Sequence, residues 1–178
     1  KKGVKMEGKD LHKAYADYVN KIYTEELWTS GSYGKPKKCL YSIDDFIRYA
    51  RQLEGVFLAV NLDQGDNFLF FVPPSPFASG RVVQEATKRL NIRTLFFSFA
   101  PITPFMSERE REFRARSLID TLKSFQPNVI GGSTSSMHRL PSFLNQYGFD
   151  VKELKLKIAG FGAESSSSER REVIGKLW

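Results

Sequence analysis

Short apolar runs alternate with amphipathic stretches along most of this chain. The runs are too short for buried helices and are followed by proline or glycine, which is typical of strands buried on both faces of a sheet. The predicted strands cover residues 68–72, 94–99, 128–130 and 156–159. Between them the apolar residues recur every three or four positions, which predicts helices packed against the sheet.

Serine residues mark the predicted starts of these helices. Ser42 with Asp45, and Ser107 with Glu110, have the spacing of a capping box, in which two side chains satisfy backbone N–H groups at a helix start. Further helices are predicted to begin at Ser79, Ser135 and Ser166. Pro141 lies inside one of them, so we expect a late start or a kink there.

The repeated order of strand and helix predicts an α/β fold, with a mainly parallel sheet flanked by helices. The 178 residues make a single α/β domain or a fragment of one, with an N-terminal helical segment over 1–27 (a helix over 10–23), a loop over 28–38 and alternating strands and helices over 39–178. Ligands bind such sheets at the carboxyl ends of the strands. The loops predicted to line a site are therefore 73–80, 131–136 and 160–166.

The amino-acid composition excludes some classes of protein and favours others. A hydrophobic content of 41% excludes a wholly disordered chain, and the net charge of +7 favours anionic partners such as nucleotides or nucleic acid. No apolar run approaches the roughly 20 residues of a membrane helix. No apolar stretch follows Lys1, so we expect no signal peptide there; with Cys39 as the single cysteine, we expect a cytoplasmic protein without a membrane partner. The chain begins at Lys1 and stops at Trp178 inside a predicted helix, so we expect a fragment or a processed piece.

The loop over 28–38 has the most distinctive chemistry. Gly31 and Gly34 expose backbone N–H groups, and hydroxyl groups and lysines surround them, a combination that suits a polyphosphate. The glycine spacing differs from the P-loop of common NTPases. Because the residues after the loop are extended, we predict that it joins two strands and closes over phosphates as a flap. A basic hairpin turn without a ligand is the alternative.

Residues 29–37, Thr-Ser-Gly-Ser-Tyr-Gly-Lys-Pro-Lys, resemble the phosphate-loop signature of the adenylate-forming (AMP-binding) superfamily, usually Ser/Thr-Ser-Gly-Thr-Thr-Gly-x-Pro-Lys. Ser32 and Tyr33 stand where two threonines are usual. Residues 76–80 resemble the acyl-pocket motif of that superfamily. Residues 126–144 and 157–164 resemble the phenylacetate–CoA ligase branch, in which a strand ends beside the adenine. The resemblance extends from about Trp28 to the end of the chain.

The resemblance implies the central part of the N-terminal domain of an adenylate-forming ligase. Such an enzyme activates a small carboxylic acid with ATP and Mg²⁺ to an acyl-adenylate, and commonly passes the acyl group to coenzyme A. The residues implied at the ATP phosphates are Thr29, Ser30, Gly31, Ser32, Tyr33, Gly34, Lys35 and Lys37. Those implied at the adenine are Gly162, Ala163 and Glu164, and those implied at the acyl pocket are Phe77, Gly80 and Ser133.

Three features implied by the resemblance are not found in these 178 residues. They are the Tyr-Gly-x-Thr-Glu motif, whose Glu helps to hold Mg²⁺, the Asp that binds the ribose, and the catalytic Lys of the C-terminal domain. We therefore expect the chain alone to form no acyl-adenylate and to need the missing C-terminal domain of the same enzyme as its partner. The catalytic residues are accordingly unknown within this chain.

Alternatives to this function stay open. One is a ligase like the acyl-protein synthetases, and another is a non-catalytic basic α/β module that binds nucleotide or nucleic acid. The apolar aromatic runs lack the interleaved Arg and Lys of a nucleic-acid surface, which argues against nucleic acid. Ser133 is equally suited to cap the following helix, and Glu164 to complement a helix dipole. Residues 63–67 predict a turn, and His12 and His138 predict no metal site.

Overall fold

The computed structural model describes residues 13–14, 23–28, 38–72, 78–98, 106–162 and 166–178. The chain first forms two strands, β1 (Tyr23–Trp28) and β2 (Lys38–Ser42). The elements that follow are α1 (Ile43–Ala59), β3 (Asn67–Phe70), α2 (Ala78–Arg89), β4 (Arg93–Phe96), α3 (Glu108–Phe125), β5 (Val129–Ser133), α4 (Thr134–Gln146), a 3-10 helix (Val151–Leu154), β6 (Ile158–Gly162) and α5 (Ser168–Leu177). The predicted α/β fold is confirmed.

Strands β3 to β6 form one parallel sheet in the order β4-β3-β5-β6, and β1 and β2 form a separate antiparallel hairpin. From β3 the chain moves to β4 at one edge of the sheet, returns to β5 on the other side of β3, and continues outward to β6. The direction of winding therefore reverses between β3 and β5. Open α/β sheets bind ligands in the crevice at such a switch point.

The sheet is buried on both faces, as its unbroken apolar strands predict. Leu69 and Ile130 belong to a core with buried residues of α3, α4 and α5. Phe68 and Val129, their neighbours along the same strands, pack instead with α1 and α2. Because successive residues of a strand point to opposite faces, α1 and α2 cover one face and α3, α4 and α5 cover the other.

The structure confirms both predicted capping boxes. Ser42 with Asp45, and Ser107 with Glu110, make the reciprocal hydrogen bonds at the starts of α1 and α3. Each of these serines has extended backbone angles, so its hydroxyl reaches back to the first turn.

Three other predicted helix starts are wrong by one or two residues. Helix α2 begins at Ala78, so Ser79 lies inside it. Helix α4 begins at Thr134, one residue before the predicted Ser135, with Ser133 as its cap, and Ser167, not Ser166, caps α5. Each true cap is the serine with extended backbone angles whose hydroxyl meets the N–H three residues ahead. In a run of serines, the path of the chain selects which one meets this condition.

The predicted late start of α4 at Pro141 is also wrong, because the helix begins at Thr134 and continues through the proline. A proline inside a helix has no N–H to donate to the carbonyl four residues earlier, which is that of Met137. The indole Nε1 of Trp178 donates to this carbonyl at 2.6 Å. The end of α5 is thereby held against α4.

The predicted N-terminal helical segment is wrong for residues 23–27. Lys13 and Ala14 are helical, but Tyr23 to Trp28 pair with β2 as an antiparallel strand. Leu27 is buried in this arrangement. Pairing with a distant strand and burial against the domain outweigh the helical spacing of apolar residues. The rest of the segment lies outside the described residues.

Candidate functional site

The loop predicted to bind phosphates is carried by the hairpin. Trp28 at the end of β1 lies opposite Lys38 at the start of β2, and residues 29–37 connect them. The prediction that this loop joins two strands is confirmed. The residues predicted at the phosphates lie outside the described residues: Thr29, Ser30, Gly31, Ser32, Tyr33, Gly34, Lys35 and Lys37. Their contact with phosphates stays a prediction.

Strands β5 and β6 extend through glycine-rich segments that the sequence analysis assigned to loops. Gly131 lies opposite Gly160, and Ser133 lies opposite Gly162. Glycine is disfavoured in strand interiors, so parallel pairing between the two segments outweighs its local preference and decides their conformation. The two strands consequently end side by side, one at Ser133, which has a small side chain, and the other at Gly162, which has none.

The glycines of β5 make room for phenylalanine side chains of β3 and of the residue that follows it. A Cβ atom on Gly131 would lie 3.1 Å from ring atoms of both Phe68 and Phe70, and one on Gly132 would lie 3.1 Å from the Cβ of Phe71. Such distances are shorter than ordinary van der Waals contact. The carboxyl end of β5 is therefore glycine because β3 leaves no space for larger residues at the switch point.

Ser133 ends β5 and caps α4. Its Oγ accepts a hydrogen bond from the Ser136 N–H at 3.2 Å and lies 3.1 Å and 2.9 Å from the hydroxyl oxygens of Ser135 and Ser136. The alternative that Ser133 caps the following helix is confirmed. The hydroxyl of Thr134 donates to the carbonyl oxygen of Gly162 at 3.5 Å, a long contact that joins the start of α4 to the end of β6.

Of the other predicted pocket residues, the structure describes Gly162 and Gly80. Gly162 is the exposed last residue of β6, and no atom outside its chain neighbours would lie within 4 Å of an added Cβ. Gly80 is buried in the first turn of α2. Phe77, Ala163 and Glu164 lie outside the described residues. The structure thus brings Ser133 and Gly162 side by side, while roles in adenine or acyl binding stay predictions.

A buried carboxylate at the amino ends of the strands was missed by the sequence analysis. Asp66, in the predicted turn before β3, accepts hydrogen bonds from the Asp63 N–H, Asn128 Nδ2 and Lys157 Nζ at 2.9, 2.7 and 2.9 Å. Burial acts to raise the pKa of Asp66, but these hydrogen bonds and the lysine charge outweigh it and lower the pKa. The cluster ties the starts of β3, β5 and β6 together, at the opposite end from the predicted site.

Arg81 was missed as well. It follows Gly80 in α2, and its guanidinium lies 2.8 Å from the carboxylate of Glu25 on the hairpin. No periodic pattern relates residues 25 and 81, so only the packing of the hairpin against α2 reveals this contact.

Within the described residues there is neither a cluster of metal-binding side chains nor a helix suited to span a membrane. No group of three or more His, Cys, Asp or Glu side chains is gathered in residues 13–14, 23–28, 38–72, 78–98, 106–162 and 166–178. Across those same ranges, no helix combines the length and the apolar character that a bilayer span requires.

Comparison with known proteins gives both a sequence relative and structural neighbours, whereas no family model matches the chain. A phenylacetate-coenzyme A ligase of Pseudomonas putida is 25% identical over 146 residues, which are 82% of this chain and 30% of that ligase. An open conformation of 2-hydroxyisobutyryl-CoA ligase, in complex with 2-HIB-AMP and CoA, superposes with a TM-score of 0.73 and 17% identity over 97% of this chain and 37% of the ligase.

A second structural neighbour is more distant. O-succinylbenzoate coenzyme A synthetase of Bacillus subtilis, in complex with ATP and magnesium ion, superposes with a TM-score of 0.55 and 14% identity over 85% of this chain and 27% of the synthetase. The chain therefore spans between 27% and 37% of the length of these relatives. The comparisons confirm the predicted resemblance to the adenylate-forming superfamily and the predicted fold.

Proposed function

We propose that this chain, which resembles adenylate-forming CoA ligases in sequence and fold, is part of the N-terminal domain of an enzyme of that kind. The enzyme activates a small carboxylic acid with ATP to an acyl-adenylate and then forms a thioester with coenzyme A. The observation that carries the proposal is the pair of strand ends next to the switch point, Ser133 of β5 beside Gly162 of β6, in a domain whose separate hairpin carries the signature over 29–37.

The phosphate loop supplies the charge neutralisation in this proposal. Attack of a carboxylate on the α-phosphorus expels pyrophosphate, whose negative charge has to be stabilised as it develops. We assign this role to the backbone N–H groups of Gly31 and Gly34, the hydroxyls of Ser30 and Ser32, and the ammonium group of Lys35. Mg²⁺ bound with ATP supplies further positive charge.

In this proposal the ends of β5 and β6 leave room for the adenine and the acyl group. Gly162 leaves open space where a side chain would stand, which supports a planar adenine beside it and beside Ala163 and Glu164. We assign the acyl group to the neighbouring crevice between β3, β5 and α2, bordered by Phe77, Gly80 and Ser133. Ligands in neighbours of the same fold, namely 2-HIB-AMP, CoA, ATP and magnesium ion, support the choice of ATP, Mg²⁺ and coenzyme A.

The rest of such an enzyme supplies what these 178 residues lack. We propose that a C-terminal domain brings the catalytic Lys, and that the Mg²⁺-binding Glu follows in the N-terminal domain. The lone Cys39, which is half-buried, agrees with the cytoplasmic location that we propose.

The test is nucleotide binding by this chain, measured by calorimetry with ATP and with GTP at low and high salt. We expect ATP to be preferred, and the double variant Gly34→Val with Lys35→Ala to weaken ATP binding at least tenfold, since both the glycine conformation and the ammonium group are lost. Lys152→Ala is the control, because it removes one exposed lysine far along the chain from the loop.

Unchanged ATP affinity in the double variant would contradict the phosphate-loop assignment. Equal affinity for GTP, or binding of a polynucleotide that collapses steeply with salt, would instead favour the basic nucleic-acid module.

A further inference from the structure

One arginine of α2 contacts three elements of the domain. The Nη2 atom of Arg81 lies 2.8 Å from Oε1 of Glu25 on β1. Its Nη1 donates to Oε1 of Gln84, one turn along α2, at 2.6 Å. The guanidinium carbon lies 5.8 Å from the ring centre of Phe46 in α1, within the range of a cation–π contact. Arg81 therefore joins the hairpin, α1 and α2.

Glu25 lies on the face of the hairpin that packs against the domain. It is opposite Tyr41, whose ring stacks on Phe46 with 5.2 Å between the ring centres. Leu27, two residues along β1 and thus on the same face, is only 3% exposed. The ion pair therefore stands beside the apolar contacts that seat the hairpin on α1 and α2.

The hairpin depends on contacts of this kind for its position. It forms a two-stranded sheet with no strand of the main sheet beside it, and a two-stranded hairpin is marginally stable by itself. The other ion pair of the described hairpin residues, Lys38 with Glu26, lies within the hairpin and does not reach α2. The Glu25–Arg81 pair is thus placed to hold the hairpin, while Glu26–Lys38 is not.

The position of the hairpin determines where its loop lies. Trp28 and Lys38 are the two ends of the loop over 29–37. Arg81 is in turn the neighbour of Gly80, which we assigned to the acyl pocket. The one ion pair therefore connects the support of the predicted phosphate loop to the helix that borders the predicted acyl pocket.

We propose that Arg81 is a positioning residue that acts through Glu25. It fixes the hairpin on α2 and thereby sets the position of Trp28 and Lys38, the two strand ends that carry the loop over 29–37. This inference rests on the proposed function, since it assigns the loop to ATP phosphates. The side chains of Arg81 and Glu25 are 36% and 33% exposed, so their ion pair contributes little to global stability. We expect its loss to affect mainly the position of the hairpin.

The experiment compares Glu25→Gln, Arg81→Gln and the double variant with the matched control Glu26→Gln. Glu26→Gln breaks the neighbouring pair by the same chemical change, but inside the hairpin. We expect each single variant to raise the Kd for ATP by up to about fivefold, the upper end of what a partly exposed ion pair contributes. The double variant is no worse than the singles, because both remove the same contact. The control binds ATP like the unaltered chain.

Amide hydrogen exchange gives a readout that needs no ligand. We expect exchange to become faster in β1 and β2 and to stay unchanged in β3, β5 and β6, whereas a general loss of stability would accelerate all of them. Unchanged hairpin exchange, additive single effects, or an equal effect of Glu26→Gln would each overturn the inference. If the unaltered chain does not bind ATP, the proposed function fails. Faster amide exchange confined to the hairpin of the variants would then still support the docking role of Arg81. If the hairpin exchange does not change, that docking role is overturned.

Discussion

Replacement of Trp178 by Phe tests how α4 tolerates a proline in its interior. Pro141 cannot donate to the carbonyl of Met137, and the Trp178 indole N–H donates to it at 2.6 Å instead. Phenylalanine keeps an aromatic ring against the core that Trp178 contacts, so the substitution mainly removes the hydrogen bond.

The expected loss follows from burial. Met137 is fully buried, at 0% exposure, so water cannot replace the missing donor. An unsatisfied buried acceptor costs about 1–3 kcal/mol, and we expect Trp178→Phe to lower the free energy of unfolding by that amount. Urea denaturation at 25 °C, followed by the circular dichroism of the helices, measures it.

Pro141→Ala provides the matched background. Alanine restores an N–H four residues after Met137, which can donate to its carbonyl within α4. We expect Trp178→Phe to cost at least about 1 kcal/mol less in this background than in the unaltered chain, a coupling typical of two groups that share one partner. Equal losses in both backgrounds would refute the argument that the indole replaces the donor that proline lacks.

Three further predictions concern the sheet and the chemistry. Asp66→Asn removes the buried carboxylate and leaves Lys157 with the more distant carboxylate of Asp63, at 3.9 Å, and should lower the free energy of unfolding by about 1–3 kcal/mol at neutral pH. Because the folded pKa of Asp66 is lowered, its contribution is present above the unfolded pKa of about 3.9 and is lost as the pH falls through the folded pKa, so the two urea curves should converge in acid. Gly131→Ala places a Cβ 3.1 Å from the ring of Phe68 and should cost about 1–3 kcal/mol, whereas Gly175→Ala, with open space in α5, should cost nothing or stabilise by up to about 1 kcal/mol; equal effects would contradict the crowding argument. Finally, the chain alone should show no carboxylate-dependent exchange between pyrophosphate and ATP, and measurable exchange would contradict its proposed dependence on further domains.

Much of the fold could be predicted because its signals are local. The apolar runs around Phe68 and Leu95 are too short for helices and too apolar for loops, so only buried strands suit them. The capping boxes at Ser42 and Ser107 are contained within four residues each and need no tertiary information. Where a signal was ambiguous within a few residues, as in the serine run before α5, the predicted boundary was wrong.

The strand ends could not be predicted for a different reason. Gly131, Gly132 and Gly160 are compatible with loop or strand, and the sequence analysis chose loops because glycine usually interrupts regular structure. Pairing across β5 and β6 decided otherwise, and at Gly131 and Gly132 the side chains of Phe68, Phe70 and Phe71 occupy the space that a larger residue would need. The same limit applied to Tyr23, which has helical spacing but pairs with Ser42.

From its sequence alone, this protein is an alternating α/β chain with a phosphate-loop signature, because periodicity, capping and a contiguous motif are properties of neighbouring residues. Tertiary structure alone decided that Ser133 stands beside Gly162, that Trp178 reaches the carbonyl of Met137, and that Glu25 meets Arg81. Periodicity tells which face a side chain occupies, but not which distant residue is packed against that face. The order of the strands and the docking of the hairpin supply that second piece of information.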